Sequence, residues 1–453
     1  MTQRPPLPGF PPGFRWGVST AAYQIEGAVA QDGRGPSVWD TFSHTEGRTK
    51  HGATGDVACD HYRLWERDVA LMEQLGVDAY RFSIAWPRVQ PAGAGPANPA
   101  GLDFYDRLVD ALLERGIRPL PTLYHWDLPQ PLQDAGGGWM NRETAYRFAD
   151  YAGLAAGRLG DRVKTWITLN EPMVHLAYGY GFGVHAPGEA LMFDALPVAH
   201  HQLLGHGLAV PVLRGFGAQE VSIANNCTPV RPASQSPADL AAAAGYDAFH
   251  NRLFLDPLLL GGYPDLSGLG VPEGGGHIKP GDLEIIAAPI DVLGVNYYNP
   301  TVIAAADPVE TGLPFGFEEI EGVPRTALDW PVVPEGLTEL LVGLKERYGA
   351  ALPPILITEN GCSTVDEPDP DGVVHDEARI DFLDAHIRAL HTAVERGVDV
   401  RGYLTWSLLD NFEWAEGYSQ RFGLVRVDYE TLERIPKDSY RWFASALAAQ
   451  RQG

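Results

Sequence analysis

Residues 165–172 read TWITLNEP, a run that begins like a buried strand and ends in two polar residues and a proline. Its first five residues are all aromatic, β-branched or aliphatic, which favours a strand inside a sheet. Pro172 has no backbone N–H to give to a sheet and predicts the end of the strand. The chain therefore carries the carboxyl group of Glu171 to a strand end. Strands also end at polar residues simply because they reach the surface, so this run alone identifies no site.

Seven further short apolar runs have the same character, and stretches with helical spacing separate several of them. The eight runs are FRWGVST (14–20), DAYRFSI (78–84), RPLPTLYHW (118–126), TWITLN (165–170), VSIANN (221–226), DVLGVNYY (291–298), PILITEN (354–360) and VRGYLTWS (400–407). HYRLWERDVALMEQLG (61–76) and GLDFYDRLVDALLERG (101–116) repeat apolar residues as amphipathic helices do, and each ends at a glycine. Strands that alternate with helices predict a parallel sheet. Eight such units predict an α/β fold, the closed (β/α)₈ TIM barrel.

The length and composition fit one large domain. The chain has 453 residues, of which 45% are hydrophobic and 20% charged, as in ordinary soluble proteins. A barrel of this type reaches about 400 residues when its loops carry insertions. We therefore predict a single catalytic domain over residues 10–448, with residues 1–9 as an N-terminal tail. The Gly/Pro-rich stretches 93–101, 273–282 and 307–324 are predicted to be loop insertions, with the functional loops at the C-terminal face of the barrel.

The charge and the cysteines limit the partners and the location. The formal net charge of −24 argues against nucleic acids and anionic membranes as partners, since both attract basic patches. No apolar run has the length of a signal peptide core or of a membrane span. Cys59, Cys227 and Cys362 are isolated and predict neither a disulfide framework nor a thiolate metal site. A cytoplasmic protein without a cofactor is the expectation, and the composition leaves open whether it forms a homo-oligomer.

The predicted strands end in a recurring set of polar and aromatic side chains, on the face where (β/α)₈ barrels place their active sites. In chain order they are Gln24, Arg81, His125, Trp126, Asn170, Glu171, Asn296, Tyr298, Glu359, Trp406, Glu413 and Trp414. Tryptophan rings stack on the apolar faces of a sugar, and amide, imidazole and carboxyl groups bind its hydroxyls. Glu171 and Glu359 would supply the two carboxyl groups that cleavage of a glycosidic bond requires. The pattern therefore predicts a sugar-binding site that cleaves glycosidic bonds.

An ordered set of motifs resembles the family-1 glycoside hydrolases, the β-glucosidases and their relatives. The matching runs are FRWGVSTAAYQIEGA (14–28), YRFSIAWPR (80–88), YHWDLP (124–129), TLNEP (168–172), VNYY (295–298), ITENG (357–361), SLLDNFEW (407–414) and GYSQRFGLVRVDY (417–429). The similarity extends from about Phe14 to Tyr440. Each motif is weak by itself, but their number and order make the resemblance specific.

The resemblance implies a role for each matching residue. Glu171 would be the proton donor that later acts as base, and Glu359 the nucleophile, oriented by Arg81 and Tyr298. Asn170 would bind the 2-hydroxyl of the sugar. The other implied sugar contacts are Gln24, His125, Trp126, Asn296, Glu413 and Trp414, with Trp406 as the stacking platform and Phe422 as one wall. No metal is implied. The two carboxyl groups would lie about 5–5.5 Å apart, as retaining enzymes require.

The activity implied by the resemblance is hydrolysis of terminal β-D-glucosyl residues by double displacement, with small β-glucosides and cello-oligosaccharides as substrates. β-Galactosides and β-fucosides are expected to be accepted as well. Glu171 must begin protonated, so apolar surroundings and the charge of Glu359 should raise its pKa. Glu359 must be ionised, which a guanidinium group beside it favours. A sugar-binding barrel without activity, a thioglucosidase and a glycosyl transferase to acceptors other than water are the alternatives.

Several positions need their own interpretation. Met173 stands where the family commonly has Trp and predicts a more permissive leaving-group side. Cys362 is predicted to be a small buried residue, and Glu413 argues against 6-phosphorylated sugars because it would repel a phosphate. His201 and His206 are five positions apart and predict packing rather than metal binding. His125 and His185 are expected to make polar contacts, and the acidic run VDEPDPDG (365–372) is predicted to be a solvated turn.

Overall fold

Eight parallel strands form a closed barrel in the computed structural model, which describes residues 4–271 and 276–451. The strands are β1 Arg15–Ser19, β2 Ala79–Ser83, β3 Arg118–Tyr124, β4 Thr165–Asn170, β5 Glu220–Asn226, β6 Val292–Asn296, β7 Ile355–Asn360 and β8 Val400–Trp406. Each strand pairs with its neighbours in the sequence, and β1 closes the barrel against β8. All eight predicted strands and the (β/α)₈ fold are therefore confirmed.

Helices surround the barrel and follow its strands. The long ones are His61–Leu75, Pro99–Glu114, Glu143–Leu159, Leu196–Gly215, Pro237–Asp247, Pro334–Tyr348, Glu377–Glu395 and Asp438–Gln450. Shorter helices are Ala22–Ile25, Val38–Ser43, Trp86–Val89, Gln130–Gly136, Pro172–Val174, Leu253–Leu259, Asp282–Ile286 and Pro308–Thr311. Two π-helical stretches, His175–Gly181 and Ala248–Arg252, continue the helices that precede them. None of the helices in the described ranges combines the length and apolar character needed to cross a bilayer.

The barrel strands are buried on both faces, which explains why they read as nearly continuous apolar runs. A layer of small and branched side chains fills the interior: Ala79, Leu120, Val292, Leu356 and Leu404. The first strand needs a glycine at this level, because a Cβ on Gly17 would lie 2.3 Å from Leu404 Cδ2 and 2.5 Å from the Ala79 carbonyl oxygen. Because side chains fill its interior, the barrel is not an open channel. A site can therefore form only at its ends.

Part of the predicted loop insertions contains regular structure. Strands Val230–Pro232, Thr301–Ala305 and Phe315–Glu318 form a small separate sheet beside the barrel mouth, and the last of them lies within the predicted 307–324 loop. Residues 1–3 of the predicted tail and residues 272–275, which overlap the predicted 273–282 insertion, lie outside the described residues. Residues of the tail that are described contact the C-terminal helices: Arg388 donates to the Pro5 carbonyl at 2.7 Å, and Gln450 donates to the Pro8 carbonyl at 2.9 Å.

The prediction of a solvated turn at 365–372 is wrong for Asp366, which is 2% exposed. Its carboxylate accepts hydrogen bonds from Arg379, at 2.9 Å, and from Lys437. Lys437 is fully buried and also reaches Asp410 at 2.7 Å. Charges this deep persist only when opposite charges pair with them. The network thus links the loop after β7 to the loop after β8 and to the start of the last helix.

We expect Lys437→Met to destabilise the fold by about 3–5 kcal/mol, because it leaves Asp366 and Asp410 as buried carboxylates short of a cation. The matched control is Lys50→Met, which removes a partner of Glu416 at 3.0 Å where both side chains are exposed by 48% and 38%. The control should cost at most about 1 kcal/mol. The urea midpoints of the two variants measure the difference, and equal midpoints would contradict a structural role for the buried network.

Candidate active site

The C-terminal ends of the strands open into a cavity of about 540 Å³. Nine of the thirteen residues of the predicted site line it: His125, Trp126, Glu171, Tyr298, Glu359, Trp406, Glu413, Trp414 and Phe422. The other four, Gln24, Arg81, Asn170 and Asn296, lie directly behind this wall and hydrogen-bond to the residues in it. Every residue of the predicted site is thus in one place.

Glu171 leaves the strand in a turn of its own. All six residues of β4 are buried, and Glu171 follows them with φ 43° and ψ 59°, the left-handed region that residues other than glycine seldom adopt. Its backbone N–H still donates to the Ala224 carbonyl of β5, at 2.8 Å. Pro172 then begins the next helical turn with the fixed φ that such a start requires. Asn-Glu-Pro therefore turns the carboxyl group of Glu171 into the cavity instead of continuing the sheet.

Two donors hold Glu359: Arg81 on β2 and Tyr298, which follows β6. Arg81 Nη1 donates to its Oε1 at 2.5 Å, and the hydroxyl of Tyr298 donates to its Oε2 at 2.8 Å. Arg81 is itself fixed, since its Nε donates to Thr122 at 3.0 Å and its Nη2 to Asn170 Oδ1 at 2.6 Å. Both oxygens of Glu359 are thus oriented by fixed groups.

Asn296 connects the two carboxyl groups to one network. Its Nδ2 donates to Asn170 Oδ1 at 3.0 Å and to Glu171 Oε1 at 2.9 Å, and its Oδ1 accepts from the Thr358 hydroxyl. Because all of its polar atoms have partners, Asn296 orients Asn170 and Glu171. The indole N–H of Trp126 likewise donates a hydrogen bond within the protein, to the Asn170 carbonyl at 2.9 Å. Trp126 therefore contributes the face of its ring to the cavity.

Within the predicted site, two buried polar atoms lack a hydrogen-bond partner among the described residues. Asn170 Nδ2 faces His125 Nε2 at 2.9 Å, which makes Nε2 an acceptor and leaves the proton on Nδ1. His125 Nδ1 and Gln24 Oε1 are the two atoms, although both residues are at most 2% exposed. Such groups usually find a hydrogen-bond partner. A donor and an acceptor at the inner end of the cavity suit the hydroxyl groups of a sugar.

The inner end is otherwise walled by aromatic rings and one carboxyl group. Trp414 packs on Trp126 with ring centroids 4.8 Å apart, and His125 stacks on Trp406 at 5.8 Å. Gln24 Nε2 donates to Glu413 Oε2 at 3.3 Å. Flat apolar faces beside polar groups match the two kinds of surface that a pyranose presents. Phe422 lies farther out, against Tyr298 at 6.5 Å, and forms a side wall.

Burial and the like charges determine the ionisation of the carboxyl groups. Burial and, next, the charge of Glu359 raise the pKa of Glu171 to about 8, although Asn226 and Asn296 oppose the shift. Burial also raises the pKa of Glu359, but Arg81 acts against it through its charge and its hydrogen bond. The pKa of Glu413 rises to about 8 by burial and by the charge of Glu359. Burial and then Arg81 lower the pKa of His125 far below its usual value. Neutral Glu171 beside ionised Glu359 is the state that this arrangement favours.

Asn226 is a site residue that the sequence analysis missed. Its Nδ2 donates to Glu171 Oε1 at 3.0 Å from the end of β5. The run VSIANN ends in two asparagines, just as the fourth run ends in Asn-Glu, and the fifth strand was the one from which no site residue was predicted. The rule that barrel strands present functional groups at their ends would have found it.

The outer part of the cavity carries exposed apolar side chains beside the charged residues Glu318, Glu319 and Arg325. Met173 lines the cavity, and so do Phe182, Phe317 and Trp330. Phe182 is 45% exposed and Phe317 61% exposed. Apolar side chains this exposed around a polar inner end are typical of a site that binds the leaving group of a substrate.

No cluster of three or more potential metal ligands occurs in the part of the chain that the structure describes. His206 is buried and bonds to the Thr168 hydroxyl at 2.7 Å, and His201 bonds to the Trp139 carbonyl at 2.9 Å. Both therefore pack in the core, as predicted. His185 lines the cavity between the rings of Trp126 and other aromatic residues. Cys362 is 2% exposed, which confirms the prediction of a buried position.

Comparison with known proteins places the chain within a family. A family model described as Glycosyl hydrolase family 1 matches residues 8–452. The chain is 47% identical to β-glucosidase A of Thermotoga maritima, over 97% of both chains. It is 48% identical to a bifunctional β-D-glucosidase/β-D-fucosidase of Bifidobacterium breve, over 97% of this chain and 98% of the relative.

Solved structures agree with the sequence comparison. The family 1 β-glucosidase of Thermotoga maritima superimposes with a TM-score of 0.92 at 46% identity, covering 98% of this chain and 99% of that one. The AHE enzyme from Alicyclobacillus herbarius superimposes with a TM-score of 0.95 at 47% identity and covers all of both chains. With the barrel, the two buried carboxyl groups and these matches in agreement, the chain belongs to glycosyl hydrolase family 1.

Proposed function

We propose that this protein is a retaining β-glucosidase that removes terminal β-D-glucosyl residues from small glucosides and cello-oligosaccharides. The observation that carries the proposal is the pair Glu171 and Glu359, buried in one hydrogen-bond network where the surroundings favour the proton on Glu171 and Arg81 opposes it on Glu359. The relatives named β-glucosidase support glucose as the sugar. The Bifidobacterium relative, also named a β-D-fucosidase, supports the further proposal that fucosides are accepted. A solved complex of the Thermotoga enzyme with a galacto-hydroximolactam supports galactosides.

The first chemical step transfers the glucosyl group to the enzyme. Glu359 attacks the anomeric carbon as a carboxylate, while Glu171 gives its proton to the glycosidic oxygen and the leaving group departs as a neutral alcohol. The nucleophile is prepared by Arg81 and Tyr298, which fix its oxygens and favour its charge. Glu171 is prepared by its burial, which keeps it protonated at neutral pH.

The second step returns the sugar to water. Once Glu359 is esterified it has lost the charge that helped to raise the pKa of Glu171. The pKa of Glu171 then falls, and the same group takes the proton of the attacking water as base. Two displacements at one carbon restore the β configuration. In the proposed complex, Gln24, His125, Glu413 and Trp414 bind the sugar hydroxyls, Asn170 binds the 2-hydroxyl and Trp406 stacks on the ring.

The order in which the anomers appear tests this mechanism. Proton NMR of an aryl β-glucoside mixed with the protein should show β-glucose first, followed by the α form as mutarotation proceeds. An α product appearing first would contradict the double displacement and the role of Glu359. Absence of turnover with glucosides, fucosides and galactosides would leave a sugar-binding barrel as the better interpretation.

The pH dependence of kcat/KM should be bell-shaped, because one carboxyl group must be protonated and the other ionised. Activity should fall as pH rises through about 8, where Glu171 loses its proton. It should also fall on the acid side, as Glu359 becomes protonated at a pKa above the usual range for a glutamate. Initial rates with an aryl glucoside in buffers of constant ionic strength measure both limbs. A rate that kept rising well above pH 9 would exclude a carboxylic acid as proton donor.

We further propose one catalytic domain over residues 10–448 and a reducing, cytoplasmic setting. The three cysteines support the second proposal, since Cys59, Cys227 and Cys362 are buried and free. Burial raises the pKa of each thiol above its ordinary value, which keeps the thiols unreactive.

A further inference from the structure

A chain of hydrogen bonds runs from the wall of the cavity to Glu171. The hydroxyl of Tyr246 lies 3.0 Å from His250 Nδ1, and His250 Nε2 lies 3.0 Å from Asn226 Oδ1. Asn226 Nδ2 completes the chain with its hydrogen bond to Glu171 Oε1 at 3.0 Å. Tyr246 and His250 are each 7% exposed and come from the helical segment after β5, far from any motif of the predicted site.

We propose that Tyr246 and His250 are positioning residues for the reaction: they fix the amide of Asn226 and thereby select which oxygen of Glu171 carries the transferable proton. This inference rests on the proposed role of Glu171 as proton donor. It gives a role to a tyrosine and a histidine that line the same cavity but are absent from the predicted catalytic groups.

The donors and acceptors in this chain can be assigned in only one way once Glu171 is ionised. A carboxylate only accepts, so the Asn226 amide must turn its Nδ2 to Glu171 and its Oδ1 to His250. An amide oxygen also only accepts, so His250 must carry its proton on Nε2. Its Nδ1 is then an acceptor for the Tyr246 hydroxyl. Burial lowers the pKa of His250 to about 3, so the ring is neutral, as this assignment requires.

The same assignment decides where the proton of neutral Glu171 sits. Glu171 Oε1 receives two N–H groups, one from Asn226 and one from Asn296. The orientation of Asn296 is fixed independently, because its Oδ1 accepts from the Thr358 hydroxyl. An oxygen that already faces two donors cannot easily carry a proton of its own. The acidic proton is therefore held on Oε2, the oxygen left to reach the glycosidic bond.

If His250 no longer donates, Asn226 is free to rotate and to present its oxygen to Glu171. The carboxylate then loses a donor and the protonated form gains an acceptor, so both changes raise the pKa of Glu171. The other titratable groups whose charges bear on Glu171 stay the same: Arg81, Tyr178, Cys227, Tyr298, Glu359 and Glu413. Burial raises the pKa of Tyr246, and the neighbouring Tyr178 adds to that shift. A change in the pH profile can then be traced to the hydrogen-bond chain.

The test is the pH profile of kcat/KM for His250→Phe, which keeps a ring but removes the donor. We expect the alkaline limb to move up by about one pH unit, the size of one lost hydrogen bond to a charged group. The acid limb, which reports Glu359, should stay in place. Loss of activity without movement of the alkaline limb would overturn the proposal, because damage to packing alone lowers the rate at every pH.

Three further variants make the test specific. His250→Gln restores an N–H donor near the position of Nε2 and should return the alkaline limb toward that of the wild type. Tyr246→Phe should move the limb in the same direction by less and carries the test if His250→Phe does not fold. His206→Phe is the matched control, since His206 is also buried but bonds to Thr168 below the site. Its alkaline limb should stay in place, and an equal shift there would also overturn the proposal.

The result separates this inference from the proposed function. A wild-type protein that releases β-glucose first, combined with unmoved limbs in His250→Phe and Tyr246→Phe, rejects the positioning role alone. A wild-type protein that does not cleave glucosides rejects the proposed function, and the positioning role with it.

Discussion

Glu359→Ala is expected to lower kcat for β-glucoside hydrolysis by about 10⁵-fold or more, the loss that follows when an enzyme loses its nucleophile. The variant keeps Arg81, Tyr298 and the sugar-binding wall, so the substrate should still bind. What is lost is the group that forms the covalent intermediate. Turnover of an activated aryl glucoside and the affinity for a glucose-like inhibitor, measured in parallel, separate catalysis from binding.

A small anion provides the decisive control for this variant. Azide can enter the space left by the carboxylate and attack from the same face, which should restore release of the aryl group and give the α-glucosyl azide. Glu318→Ala is the matched variant, because Glu318 lines the same cavity but is exposed at its rim. Glu318→Ala should keep nearly full activity. If azide gave no α product with Glu359→Ala, or if both variants lost activity alike, Glu359 would not be the nucleophile.

Glu171→Gln is expected to separate substrates by the quality of their leaving groups. Alkyl glucosides need a proton on the departing oxygen, so their kcat/KM should fall by about 10²–10⁴-fold, the usual contribution of a general acid. From a dinitrophenyl glucoside the dinitrophenolate departs as a stable anion without a proton, so the rate of the first step should fall little. Water attack then lacks its base, so the covalent intermediate should accumulate. A leaving-group series and a rapid-mixing experiment measure the two effects.

Because glutamine and glutamate have nearly the same size, this substitution tests the acid group without changing the packing. Glutamine keeps the size of Glu171, and its amide oxygen can still accept from Asn226 and Asn296. Its amide nitrogen replaces the oxygen that would carry the acidic proton. The Glu318→Gln variant serves as the control within the same cavity. Equal losses for methyl and dinitrophenyl glucosides, without a burst of dinitrophenol, would contradict the acid and base role of Glu171.

The barrel could be predicted from the sequence because its strands carry a strong local signal. A parallel strand covered on both faces reads as a short apolar run, and all eight runs became barrel strands. The predicted site residues also had a local signal, since Glu171 and Glu359 directly follow or lie in such runs. Fold geometry then brought them together without any further information, because the ends of all the strands meet at one face.

The parts that were missed depend on contacts between distant residues. Asp366 looks like one of several solvent-exposed acids, and only its pairing with Lys437, 71 positions later, explains its burial. Tyr246 and His250 lie on a helical segment with no unusual local pattern. Their importance comes from the position of Asn226, on another element, and no spacing rule predicts such a pairing. Side-chain contacts between different helices, strands and loops thus could not be predicted from the sequence, whereas the ends of the strands could.

His125, Trp406 and Trp414 wall the inner end of the cavity above the filled barrel, so a molecule bound there enters and leaves through the mouth. The alcohol released in the first step must leave by this passage before water can take its place. The sugar released in the second step blocks the passage until it has gone. The shape of the cavity thus imposes a strict order of departure, and glucose at high concentration must compete with every incoming substrate for the same space.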